Sequence, residues 1–120
     1  MTPEQHQRKA ERIERSLAKC SVDQPEIVIE GVMLAGTHWF NIALHRMGFS
    51  SPEKDVMHAQ YLPGNERLKL SLLQPALLQA LDEVESFRPA YVRGNLPGAR
   101  RAATRSLELL NVIKAAARRL

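Results

Sequence analysis

Residues Ile27 to Met47 are apolar nearly all the way round a helix, interrupted mainly by Glu30, His38, Asn41 and His45. A helix that is apolar on every face belongs at the centre of an all-helical core. The last three polar residues fall three and four positions apart, so they form one stripe along that rod. Buried imidazoles and amides cost free energy unless hydrogen-bonded. The stripe therefore marks either an internal network or a polar site.

The remaining segments are also helical. Aromatic residues make up 5% of the 120-residue chain, and no run alternates cleanly between apolar and polar residues except the ambiguous Leu68, Leu70, Leu72. The expected fold is an all-α, up-and-down bundle of four to five helices forming a single domain over 1–120. Within it, residues 1–24 supply an amphipathic helix and a turn, and 25–120 supply the core bundle. The first helix spans about Pro3 to Cys20, with Ala10, Ile13, Leu17 and Cys20 on one face. The second begins near Pro25 or Glu26 and stops at Gly48. Ser51-Pro52-Glu53 predicts the start of a short third helix that ends near Leu62, before Pro63-Gly64. A leucine-rich stretch from Asn65 is broken at Pro75, and a helix follows to Phe87. Arg88-Pro89 is expected to end it, with Tyr91 to Pro97 as a connector. The last helix, from Pro97 or Gly98 to Arg119, buries Ala99, Ala102, Ala103, Leu109, Leu110, Ile113, Ala116, Ala117 and Leu120. Its other side displays Arg100, Arg101, Arg105, Arg118 and Arg119.

The net charge is +4, with 17 basic and 13 acidic residues interleaved. That balance favours solubility and at most a weak attraction for polyanions, with the five arginines of the last helix as the surface for weak nucleic-acid binding. A single cysteine, Cys20, excludes an internal disulfide and a thiolate-built zinc site, and fits a cytoplasmic protein. The polar residues within the apolar rod argue against a membrane span. Metal binding is not expected, because His38 and His45 are separated by about 10 Å along the helix axis and Asn41 between them is a poor ligand. Only Asp55 and His58 are nearby candidates to help. No cofactor is expected. No serine sits in a strained elbow and Cys20 is distant from the histidines, so nucleophilic catalysis lacks support. Gly94 to Gly98 before the basic helix is a weak anion-binding signal.

Two segments resemble the HEPN superfamily of small helical nucleotide-binding domains. Thr37-His-Trp-Phe-Asn-Ile-Ala-Leu-His45-Arg-Met-Gly48 is similar to its second helix. Glu85-Ser-Phe-Arg88-Pro-Ala-Tyr91-Val-Arg93-Gly94, followed by an alanine- and leucine-rich helix, is similar to its Arg-x-x-Tyr region and terminal helix. The likeness covers about Glu26 to Leu120. Members include metal-independent ribonucleases, often toxins paired with a small nucleotidyltransferase, and inactive versions that bind nucleotides or partner proteins. The nuclease versions carry an arginine four to six residues before a histidine, and no histidine here has one.

The resemblance thus implies a non-catalytic module that binds a partner protein, nucleotide or nucleic acid through His38, Asn41, His45, Asp55, His58, Arg88 and Tyr91. The competing expectation is an atypical, toxin-like endoribonuclease whose site assembles in space from His45, His58 and Arg88. A third is a structural interaction domain whose stripe organises the core. A homodimer is expected from the prevalence of symmetric pairs and the apolar width of the two longest helices.

Overall fold

The computed structural model describes all 120 residues as five α-helices with no strand. They are α1 (Pro3–Leu17), α2 (Pro25–Arg46), α3 (Gly64–Leu73), α4 (Pro75–Phe87) and α5 (Ala99–Arg118). The helix α2 is the hub: α1, α4 and α5 all pack on it, whereas α3 packs chiefly on α4. Its buried side chains run from Val28 to Leu44 and include Trp39, Phe40, Ile42 and Asn41. Although α2 is long and apolar enough to cross a membrane, 67% of its most apolar stretch is buried within the bundle. That burial gives the apolar character a role in the core.

Local signals explain the helix boundaries. Thr2 caps α1 through a capping box with Gln5. Pro25 and Pro75 occupy first-turn positions of α2 and α4, where a missing amide hydrogen costs nothing. Gly48 adopts φ +76° just past α2, and Gly98 adopts φ +98° at the entrance of α5. On the bundle side, α5 buries Ala102, Ala103, Ser106, Leu109, Leu110, Ile113, Ala116 and Ala117. The predicted Ala99 is only half-buried and Leu120 is exposed. Close approach of α1 and α2 depends on Gly31, where an added Cβ would sit 2.5 Å from Leu17 Cδ2. Through Ala10 and Leu17, α1 contributes to the hydrophobic core.

Three expectations are corrected. The α-helix predicted over Pro52 to Leu62 is absent; turns and a single 3₁₀ turn, Ala59–Tyr61, replace it. The capping signal at Ser51-Pro52-Glu53 is local, and the following backbone is committed instead to tertiary hydrogen bonds with α2. Arg88-Pro89 does not end α4 cleanly either, because the chain continues as a π-helical turn over Arg88–Val92. A proline at the second position of that turn lacks a donor only where none is needed. Finally, α1 stops at Leu17 rather than Cys20, and Cys20 is half-buried.

Candidate functional site

The polar stripe of α2 meets two segments: the N-terminal turn of α1, which brings His6, and the irregular segment after α2, which brings Asp55. Asn41 makes the second meeting possible. Its side chain is 1% exposed; Nδ2 donates to the Val56 carbonyl (2.8 Å) and Oδ1 accepts from the Val56 amide (2.7 Å). Nδ2 also donates to the Thr37 carbonyl at 2.9 Å. The carboxamide thus replaces a missing backbone partner for an otherwise irregular segment, and it fixes the residue next to Asp55.

Asp55 Oδ1 lies 2.9 Å from His6 Nε2 and 3.0 Å from His45 Nε2. Both imidazoles are 2% exposed and the Asp55 side chain is 26% exposed. The Met1 amino group reaches Asp55 Oδ2 at 3.1 Å. Behind the carboxylate, His45 Nδ1 is 2.8 Å from Ser50 Oγ and 3.2 Å from the Ser50 carbonyl. His6 Nδ1 is 2.8 Å from His38 Nδ1, so one ring donates to the other.

These surroundings set the protonation states. Burial pushes the His6 imidazole below its ordinary pKa, and its hydrogen bond and charge interaction with Asp55 only partly oppose that. His38 is lowered first by burial and then by the neighbouring His6 and Lys9. For Asp55 burial acts upward, but hydrogen bonds from His6, the Met1 amino group and His45 together hold it below the usual carboxylate range. A neutral His6 donating to an ionised Asp55 satisfies both directions.

A cleft of about 310 Å³ opens beside this cluster. His6, His38, Asn41, Asp55, His58, Glu30 and Arg88 supply its polar wall, and Met33, Leu34 and Met57 its apolar one. Arg88 projects from the start of the π-helical turn and grips Glu30 of α2, Nε to Oε1 at 2.7 Å and NH2 to Oε2 at 3.4 Å. His58 Nδ1 lies 2.9 Å from Glu85 Oε1 of α4.

Of the residues singled out from the sequence, His38, Asn41, Asp55, His58 and Arg88 line this cleft, and His45 stands behind Asp55. Tyr91 does not join them. It packs edge-on against Phe87 at 5.9 Å and lines a separate groove with Pro97, Gly98, Arg101 and Arg105, because the π-helical turn redirects the residues that follow Arg88. His6 is not among the residues singled out from the sequence. Its signal was the helical register with Ala10, Ile13 and Leu17, which places an imidazole on the buried face of α1.

The arginines of α5 are partly neutralised. Arg105 pairs with Glu83 (2.8 Å) and Glu108 (3.2 Å), and Arg100 with Asp23 (3.3 Å). On the opposite side of α2, Trp39 Nε1 donates to Glu14 Oε2 at 2.9 Å, and Lys114 Nζ reaches Glu14 Oε1 at 3.0 Å. This second network ties α1, α2 and α5 together. Comparison with known proteins returned no matching family model, no matching curated protein and no matching solved structure.

Proposed function

We propose that the chain is a non-catalytic, HEPN-like binding module that takes a nucleotide in the cleft lined by α1, α2, the irregular segment after α2 and the π-helical turn. One observation carries this reading: Arg88, His38 and His58 share a pocket-sized cleft with an apolar wall of Met33, Leu34 and Met57. A cavity of a few hundred cubic ångströms with a few convergent polar groups suits a small ligand. The guanidinium offers a planar fork for a phosphate in exchange for Glu30, and the methionines offer a polarizable surface to a base.

The test is calorimetric titration with ribonucleoside mono-, di- and triphosphates. Saturable binding to the wild type should weaken by about 10- to 100-fold in Arg88→Gln, the worth of a hydrogen bond to a charged group. Absence of binding to all three in the wild type would sink the proposal.

A second reading, an atypical endoribonuclease, draws support from the same cleft, since His38, held toward its neutral form, and Arg88 both line it. His45 is a poor base for it, being enclosed behind Asp55 and Ser50. Cleavage of a labelled RNA that disappears in both His38→Gln and Arg88→Gln would favour this reading over simple binding.

A homodimer is part of the proposal. Ile27, Leu34, Met57 and Tyr61 are 57–65% exposed, and Leu34 and Met57 also line the cleft. Covering them with a second copy would remove apolar surface from water.

A further inference from the structure

We propose that His6, His45 and Asp55 form a binding site for one divalent first-row transition-metal ion. Three observations support it independently of what occupies the cleft.

The donor set is two imidazoles and one carboxylate, and one donor atom from each residue lies within 4.8 Å of the other two. Two imidazoles with one carboxylate suit first-row ions such as zinc, iron and cobalt while leaving coordination positions open. The spacing is close to what coordination requires. With metal–ligand bonds of about 2.05 Å, neighbouring donors lie about 2.9 Å apart in an octahedron and about 3.3 Å apart in a tetrahedron. The two imidazole–carboxylate separations are 2.9 and 3.0 Å, and the imidazole nitrogens lie within 4.8 Å of each other, so the carboxylate edges already match and the imidazole–imidazole edge is the one that an entering ion would close.

The ring nitrogens facing away from Asp55 already have partners. When Nε2 of a neutral histidine becomes a ligand, its proton must reside on Nδ1, and an acceptor there fixes the tautomer. His45 Nδ1 has the Ser50 carbonyl and hydroxyl oxygens, and His6 Nδ1 has His38 Nδ1. The Ser50 oxygens can accept that proton as they stand, and His38 Nδ1 can accept it once the His38 proton resides on Nε2.

The site is also anchored and accessible. The two imidazoles are buried on separate helices, whereas Asp55 is partly open and borders the cleft together with His6. An ion would therefore be held from behind, with its remaining positions turned toward the cleft. The Met1 amino group now beside Asp55 is the competing cation that the ion would displace.

The experiment is titration of chelator-treated protein with Co²⁺ alone, followed by displacement with Zn²⁺. The expected result is one Co²⁺ per chain, visible d–d bands distinct from those of the aqueous ion, and their loss on adding Zn²⁺. His6→Gln, His45→Gln and Asp55→Asn should each weaken binding by at least about 100-fold, since each removes one of three protein ligands. Glu108→Gln, at the surface of α5, should leave it unchanged. Because Asp55 is partly exposed, Asp55→Asn decides the matter if a histidine variant fails to fold. An aqueous-type Co²⁺ spectrum without stoichiometric retention by the wild type would overturn the proposal, as would undiminished binding in Asp55→Asn.

Discussion

At the scale of single residues, Asn41 does more than any other side chain to place the polar cluster. Replacing it with alanine leaves the Val56 amide and carbonyl without their partner and should cost roughly 2–4 kcal/mol, read as a lower urea midpoint. The histidines predict a pH dependence with a definite sign. His6 and His38 have folded pKa values below their unfolded ones, so on acidification the unfolded chain takes up protons before the folded one does. Stability should be at its full value above the unfolded histidine pKa, about 6.5, and fall as pH drops below it. Asp55 is lowered too, so its contribution persists above the unfolded carboxylate range and is lost at still lower pH. Urea midpoints between pH 7.5 and 5.5 should therefore decline, and His38→Gln should flatten the decline. A midpoint that rises on acidification would contradict the assignment of neutral imidazoles. The spacing of His38, Asn41 and His45 made their shared stripe legible from the sequence. Among the partners of that stripe Asp55 was legible as a candidate, whereas His6 and the Val56 backbone were not, since no periodic pattern reports which segment folds back onto a helix.

At the scale of elements, periodicity revealed α1, α2, α4 and α5, because each buries a continuous face. The segment from Ser51 to Leu62 misled because a good cap sequence reports what the backbone can start, whereas tertiary hydrogen bonds decide whether it continues. The π-helical turn left no comparable periodic mark, although it places Arg88 on the cleft and turns Tyr91 away. Its exit is sterically tight: a Cβ at Gly94 would sit 2.8 Å from the carbonyl oxygens of both Pro89 and Ala90. Because those atoms belong to the backbone, Gly94→Ala cannot be absorbed by a rotamer change. It should destabilise the protein by about 1–3 kcal/mol and perturb the Arg88–Glu30 pair. Thermal unfolding compared with Gly64→Ala, where a Cβ meets open space, isolates the steric part.

At the scale of the whole molecule, the architecture was readable because one rod is apolar all round and the others are apolar on one side. Association is a different matter, since exposed apolar residues are dispersed along the chain and their adjacency is set by the fold. If the molecule pairs through the face carrying Ile27 and Leu34, light scattering should give twice the monomer mass, and Ile27→Glu with Leu34→Glu should halve it. A monomeric wild type at micromolar concentration would remove the dimer from the proposal. The clamp of Asn41 on Val56 has one more consequence. With both backbone groups of Val56 held by a buried carboxamide, its amide hydrogen exchanges with deuterated solvent only when the pairing with Asn41 opens. That single amide thus becomes a clock for the opening of the chamber, and any guest seated inside should slow it.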